Sequence, residues 1–507
     1  MLSKLYSAST FGTEVYQLEI EVDVSSGLPA ITLVGLPDTA VRESRDRVKS
    51  AIKNSQFEYP RGRITVNLAP ADIKKEGPAF DLPIALGILA STGQISFNVL
   101  REFVFLGELA LNGKIRPVKG VLPIALSLRK SVIRKLIVPK DNAYEAAIIK
   151  EIDVYPVESL QEVAYLLSNF LEKKPLKLEI DELIKKKEYD VDFSEVKGQY
   201  LVKRALEITA SGFHNILMIG PPGSGKTMLA KRIPTIMPDL SLAEALEVTT
   251  IHSASNRIPP QQGLITVRPF RFPHHTISYA ALVGGGSIPQ PGEISLAHQG
   301  VLFLDELPEF RRDCLEALRQ PLEDNAIRIS RLNRSFTFPA DFMLVCAMNP
   351  CPCGHFSDSR KACTCNTTKI QLYMNKISGP LLDRIDIHIA VPALRYQDLN
   401  DPQDAESSQE IKQRIEIVRA VQRERLKCEG IFYNAGMTTR QIKKYCLLQD
   451  EAQGLLKMAM AELGLSARGY NKVLKVSRTI ADLDGKSAIQ AQHISEAIQY
   501  RSLDQRF

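Results

Sequence analysis

Between residues 14 and 24 apolar and acidic positions alternate, with Leu18, Ile20, Val22 and Val24 on one side and Glu19, Glu21 and Asp23 on the other. A period of two marks a half-buried strand. Ile31 to Val34 is a second apolar run that stops at Gly35-Leu36-Pro37, after which Asp38 stands where it would cap a helix carrying Val41, Val48 and Ile52 on one side. Ile64 to Leu68 and Val104 to Leu106 read as strands and Leu82 to Ala90 as a buried helix, so residues 1–170 are expected to form a mixed α/β domain. From Glu172 to Asp192 the chain turns rich in Lys and Glu, Lys185-Lys186-Lys187 included, which is the composition of a solvated linker, placed at 171–192. Strand and helix patterns then alternate as in a parallel α/β sheet until the polar stretch Asp401 to Ser408, and helical periodicity follows to Phe507. The pattern predicts a parallel-sheet core over 193–400 and a helical domain over 401–507, with no internal repeat.

At 507 residues the chain exceeds what one hydrophobic core supports, in keeping with about three domains. Its 44% hydrophobic and 24% charged residues are those of a globular protein, which excludes collagen-like, mucin-like or globally disordered classes. A net charge of +6 is a mild basic bias that permits nucleic-acid contact without requiring it. Met1 to Asp23 lacks a basic start followed by an apolar core, and no run approaches the ~18 apolar residues of a membrane span, so a cytoplasmic protein with no membrane partner is expected. In that reducing compartment the eight cysteines are read as free thiols or metal ligands.

Chemistry enters at residue 220. The apolar strand Ile216 to Ile219 runs into Gly220-Pro221-Pro222-Gly223-Ser224-Gly225-Lys226-Thr227 and then a helical stretch, the strand, loop and helix of a P-loop. The glycines let backbone amides curve around phosphate oxygens, Lys226 reaches the β- and γ-phosphates of ATP, and Thr227 binds magnesium. A second apolar strand, Val301 to Leu304, ends in Asp305 and Glu306, where Asp305 would hold the magnesium and Glu306 would polarise the attacking water. Read blandly, the same pair caps a helix opening at Leu307. A third strand, Phe342 to Met348, delivers Asn349 to orient that water. Arg384, in Gly379-Pro380-Leu381-Leu382-Asp383-Arg384, is an arginine-finger candidate that acts on the nucleotide of a neighbouring subunit and therefore requires an oligomer; its rival role is an ion pair with Asp383 or Asp386.

Asn325 to Ala340 carries Arg328, Arg331 and Arg334 with no acidic residue and alternates as a hairpin. Lining the pore of a ring, these arginines would bind DNA phosphates without sequence readout; as an edge hairpin guarded by charge, they would do nothing more. Cys351-x-Cys353 and Cys363-x-Cys365 supply four thiolates, the ligand count of a tetrahedral zinc, although the spacing departs from C-x₂-C and leaves free thiols or a redox disulfide as the alternative. His252, His274, His275 and His298 lack ligand spacing and are assigned to packing or hydrogen bonding. The run Lys412, Arg414, Arg419, Arg423, Arg425 and Lys427, interleaved with glutamates, reads as solvated helix faces.

Several of these segments carry a family likeness: Pro273-His274-His275, Val283-Gly284-Gly285-Gly286, Pro291-Gly292-Glu293-Ile294-Ser295-Leu296-Ala297-His298, the Asp305-Glu306 strand, Asn349-Pro350-Cys351-Pro352-Cys353-Gly354 and Ser378 to Asp386. Over essentially its whole length the chain resembles the ComM (YifB) family of Mg-chelatase-like AAA+ ATPases. The resemblance implies a homo-hexameric ATPase and helicase acting on single-stranded and branched DNA, promoting branch migration in homologous recombination and natural transformation. It assigns Lys226 and Thr227 to Walker A, Asp305 and Glu306 to Walker B, Asn349 to sensor 1, Arg384 to the arginine finger and Arg468 to sensor 2 on a helical lid, with Arg478 as the competing sensor 2 candidate. The N-terminal domain looks like a Lon-protease fold, visible in Glu76-Gly77-Pro78-Ala79 and Gly107 to Ile115. Here the serine nucleophile falls at Ala79 and its lysine partner at Leu122, so no peptidase activity is expected. The rival readings are a motor of the magnesium-chelatase type and a protein-remodelling chaperone.

Overall fold

The computed structural model describes residues 2–11, 14–71, 75, 77–97, 99–169, 173–178, 189–255, 257–258, 263–286, 289–331, 334–356, 361–393, 405–463 and 465–501. Glu76, Lys185-Lys186-Lys187 and Asp401 lie outside these residues. The alternating segment forms the strand Glu14–Ser25, in the middle of a seven-stranded sheet ordered Ala30–Val34, Arg63–Ala69, Glu14–Ser25, Leu2–Phe11, Phe103–Phe105, Lys135–Pro139 and Asp153–Val157. Leu18, Ile20 and Val22 are fully buried on the face covered by the helix Asp81–Ser91, every residue of which is buried. The approach is close at Gly87, where a Cβ would stand 2.5 Å from Val22 Cγ2. Asp38 caps the helix Thr39–Asn54 by accepting from the Val41 amide at 2.7 Å. Leu2–Phe11 pairs antiparallel with Glu14–Ser25 from Leu2↔Asp23 to Phe11↔Glu14, a strand that the pattern of alternation left unread.

The second sheet has five strands, ordered Phe270–Arg271, Val301–Leu304, Met343–Met348, Ile216–Ile219 and Ile387–Ala390, all parallel. Val301–Leu304, Met343–Met348 and Ile216–Ile219 are buried throughout, as central parallel strands covered on both faces must be. Beyond the sheet come the helices Ser408–Leu426, Thr439–Tyr445, Asp450–Leu463, Ala467–Leu483 and Ala491–Gln499, which share one apolar core with the helix Tyr200–Gly212. The two sheets meet where the helix Val121–Leu128 packs against Leu242–Ala254. There the Ser253 hydroxyl donates to the buried Glu145 carboxylate at 2.8 Å.

The charged run in Ser408–Leu426 is only partly solvated. Arg419 is buried, its guanidinium 5.2 Å from the ring centre of Tyr433 and 6.0 Å from that of Phe213, against a pair of rings that touch each other with centres 4.7 Å apart, a surface that local sequence does not show. Arg425 reaches the buried Asp482, which also holds the buried Arg478. Arg478 further donates to the carbonyls of Lys486 and Ser487, so it serves the fold of the bundle. Ala79 and Leu122 stand in apolar surroundings, Leu122 fully buried. Among the described residues no helix is long and apolar enough to cross a membrane.

His252, on Leu242–Ala254, faces the Leu296 carbonyl at 3.1 Å, and burial holds its pKa down at about 4. The unfolded chain binds a proton there near pH 6.5 and the folded chain does not, so this contribution is intact above about pH 6.5 and falls away down to about pH 4. Denaturant titrations should show up to about 3 kcal/mol of acid-side loss from this residue, reduced in His252→Gln.

Candidate active site

Parallel strands bring their carboxyl ends to one edge, and the three neighbouring strands Val301–Leu304, Met343–Met348 and Ile216–Ile219 end in Asp305-Glu306, Asn349 and the P-loop respectively. The loop is closely fitted at Gly220, whose Cβ would meet the Val391 carbonyl oxygen at 2.2 Å. At Gly225 a φ of +86° turns the chain into the helix Lys226–Ile236. Lys226 Nζ donates to the carbonyls of Gly220 and Pro221 at 2.8 and 2.9 Å and lies 3.4 Å from Asn349 Oδ1. Burial draws its ammonium below the ordinary lysine value, opposed by the Asp305 charge. The Thr227 hydroxyl donates to Asp305 Oδ2 at 2.6 Å, so hydroxyl and carboxylate converge as a magnesium-binding pair must.

Glu306 precedes the short turn Leu307–Glu309 without capping it by its side chain, so the bland helix-cap role does not describe it. It holds φ +53°, a left-handed conformation that costs a non-glycine residue about 1–3 kcal/mol and is concentrated at functional positions. Its half-exposed carboxylate faces His275, whose Nδ1 is 3.2 Å from Glu306 Oε2. Sequence reasoning assigned His275 to packing or hydrogen bonding without naming a partner, since nothing local links two residues so far apart in the chain.

The arginine candidates sit elsewhere. Asn215, at the amino end of Ile216–Ile219, accepts from the amides of Asp386 and Ile387 and donates its side-chain amide to the Arg384 carbonyl at 3.2 Å. Arg384 is therefore at the amino-end edge of the sheet, separated from the P-loop by a strand of four residues, about 13 Å. Its partner is neither Asp383 nor Asp386, as the sequence suggested, but Glu323, at 2.6 Å. Arg468, which lies within the first turn of Ala467–Leu483, meets the same Glu323 carboxylate at 3.2 Å. A cavity of about 330 Å³ opens beside them, lined also by Asn215, Asp341, Asp386 and Lys472. Asp386 is held far below the ordinary carboxylate range, because Lys472 and His214 outweigh its burial. The own-chain P-loop and these two arginines thus occupy opposite edges.

Ala326–Arg331 and Arg334–Pro339 form an antiparallel hairpin with Arg331 opposite Arg334; Arg328 is exposed, while the side chains of Arg331 and Arg334 lie outside the description. The four cysteines converge, with Sγ–Sγ distances of 3.3 Å (Cys351–Cys353), 3.6 Å (Cys353–Cys363) and 3.7 Å (Cys351–Cys363), and all four sulfurs including that of Cys365 within 4.8 Å of one another. A tetrahedron of Zn–S bonds near 2.3 Å needs S–S edges of about 3.8 Å, whereas a disulfide needs about 2.05 Å, so the arrangement fits a zinc. Amides of His355 and Thr364 hold the Cys353 thiol down, whereas burial and the neighbouring sulfurs outweigh a backbone bond and hold Cys363 and Cys365 up. The adjoining Gly354 packs on the P-loop, where an added Cβ would stand 2.7 Å from the Pro222 ring.

Residues 192–399 match the family described as magnesium chelatase, subunit ChlI; residues 20–142 and 405–501 match further families described as subunit ChlI of Mg-chelatase and as its C-terminal part. The chain is 46% identical over 512 residues to competence protein ComM of Haemophilus influenzae, covering 99% of this chain and 98% of that one. It is 45% identical over 505 residues to YifB of Escherichia coli, with 99% and 97% covered. A Lon protease of Brevibacillus choshinensis is 27% identical over 171 residues, 31% of this chain and 21% of that one.

Elemental analysis of protein purified without chelator should find about one zinc per chain, and Cys363→Ser should lower it. Metal-free wild-type protein would count against the zinc assignment.

Proposed function

The chain belongs to the ComM and YifB family of magnesium-chelatase-like AAA+ proteins, and from that premise we propose that it is an ATP-hydrolysing DNA helicase that works as a hexameric ring and drives branch migration during recombination and natural transformation. The observation that carries the reading is the split of the hydrolytic residues between the two edges of one parallel sheet: Lys226, Thr227, Asp305, Glu306 and Asn349 on one, Arg384 and Arg468 on the other. Each edge is half of a site, and only a neighbouring copy supplies the complement. We take residues 1–170, 193–400 and 401–507 as its three domains, joined by the linker 171–192.

The amides of Gly220 to Gly225 and Lys226 hold the phosphates in this reading, and Thr227 and Asp305 hold the magnesium. Bound magnesium supplies screening of the charge that develops on the phosphate oxygens. Glu306 accepts the proton of the attacking water and Asn349 orients that water. Arg384 leaves Glu323 to place its guanidinium at the adjoining subunit's site, with Arg468 beside it. The hairpin Ala326–Pro339 presents Arg328, and in our reading Arg331 and Arg334, to DNA phosphates. DNA as the partner is supported by the likeness to the Haemophilus relative, a competence protein.

Single-stranded or forked DNA should stimulate ATP hydrolysis, and forked DNA should be unwound with ATP; unfolded protein should not substitute. Arg331→Glu should remove DNA binding and stimulation while nucleotide affinity stays. A wild-type protein that neither responds to DNA nor unwinds it would refute the helicase. Glu306→Gln should bind ATP and lose hydrolysis by about 10²–10⁴-fold. Mixing it with equally inactive Arg384→Ala should restore part of the rate, since one mixed interface then carries both residues; no recovery would place the arginine's action within its own subunit.

A further inference from the structure

Gly354 lies where the cysteine knuckle meets the nucleotide loop. It closes the turn that begins at Cys351, donating its amide to the Cys351 carbonyl at 3.0 Å, and it holds φ +83°, in the left-handed region that glycine tolerates. A Cβ on it would stand 2.7 Å from both Cγ and Cδ of Pro222 and 3.9 Å from Cγ of Asn349. The backbone of the knuckle therefore rests against the nucleotide loop and beside the Asn349 side chain. Asn349 in turn lies 3.4 Å from Lys226 Nζ.

The second pair of cysteines reaches the same asparagine from another direction. Cys365 is followed by Asn366, whose side chain caps the helix Thr367–Met374 by accepting from the Lys369 amide at 2.8 Å. That helix carries the buried Tyr373, whose hydroxyl accepts a hydrogen bond from the Asn349 amide. Asn349 is thus held between the strand end that leads through Pro350 into Cys351 and the helix that starts just after Cys365. The sulfurs also order their own loop, since Cys351 Sγ accepts from the Phe356 amide at 3.3 Å and Cys363 Sγ from that of Cys365 at 3.4 Å. A metal bound by all four thiolates ties Cys351 and Cys353 to Cys363 and Cys365, and its binding free energy opposes any separation of the segments that carry Asn349 and Tyr373.

We infer that zinc at the four cysteines and nucleotide at the P-loop are energetically linked through the positioning residues Gly354 and Tyr373, each ligand fixing the arrangement of Pro222 and Asn349 that the other needs. This rests on the zinc assignment and on the reading of Gly220 to Thr227 as a phosphate loop. Linkage requires that the factor by which nucleotide tightens zinc equal the factor by which zinc tightens nucleotide. A knuckle that only holds its own loop together gives no such factor.

For the full-length protein, zinc affinity is measured by competition with a zinc-selective chromophoric chelator, with and without a non-hydrolysable ATP analogue and magnesium. Analogue affinity is measured on zinc-loaded and zinc-stripped protein. Both affinities should change by the same factor, roughly five- to tenfold. Gly354→Ala and Tyr373→Phe should each keep about one zinc per chain and bring the factor down toward one. Tyr373→Phe removes only a hydroxyl from a buried ring, so its result stands even where an alanine at a positive φ weakens the fold. Unchanged affinities in wild type, or a factor in Tyr373→Phe equal to that of wild type, would overturn the linkage and leave the zinc assignment in place. Zinc-stripped protein with the circular dichroism of an unfolded chain would overturn it too, because the metal would then hold the whole fold. Protein that carries no zinc when purified without chelator overturns both the linkage and the zinc assignment, and zinc-loaded protein that binds no analogue overturns the linkage together with the phosphate loop.

Discussion

Asn215 is the small residue on which the arrangement turns. Its amide donates to the Asp386 carboxylate at 2.9 Å, its carbonyl accepts from Asp386 and Ile387, its side-chain oxygen accepts from Leu344 at 2.8 Å, and its side-chain nitrogen reaches the Arg384 carbonyl. One residue thereby ties the amino ends of three parallel strands and the turn carrying Arg384. Since the strands are short and parallel, everything tied at this edge is kept away from everything that collects at the other. Within one copy, Lys226, Thr227, Asp305, Glu306 and Asn349 stand at one edge of the sheet and Arg384 and Arg468 at the other.

Buried charge extends that edge into the helical bundle. Lys472 and His214 meet the fully buried Asp386, and Arg425 and Arg478 meet Asp482, so each carboxylate is paired within the interior. Removing one member would strand the other in a medium that solvates it poorly, a loss of about 3–5 kcal/mol for a buried pair. Such pairs are weak sources of net stability. Their effect is on geometry: Lys472 fixes how Ala467–Leu483 seats on the sheet, and with it where Arg468 meets Glu323.

Around the other edge, two elements touch the nucleotide loop or its acidic residues and a third touches one of those two. The cysteine knuckle rests on Pro222 through Gly354, the segment carrying His275 reaches Glu306, and the arginine hairpin touches that segment's continuation through Ile329 and Gly284. The first sheet instead joins through Glu145 and Ser253 on the far side of Leu242–Ala254.

Features set by neighbours in the chain were legible in advance. The alternation of Leu18, Ile20 and Val22 placed a strand, Asp38 placed a cap, and the glycine spacing before Lys226 placed a phosphate loop, because period, capping and turn geometry all act within a few residues. Asp305, Glu306 and Asn349 followed, since the end of an apolar strand is readable and parallel strands align their ends. The pairing of Arg384 with Glu323, 61 residues away, was not legible; nor was the burial of Arg419 against the Phe213 and Tyr433 rings, nor the reach of His275 to Glu306. A charged or histidine side chain looks alike in sequence whether it meets water or a partner. The sequence by itself determined the chemistry available at each strand end, and only tertiary packing decided which side chains meet, because those meetings depend on how separate elements are oriented in space.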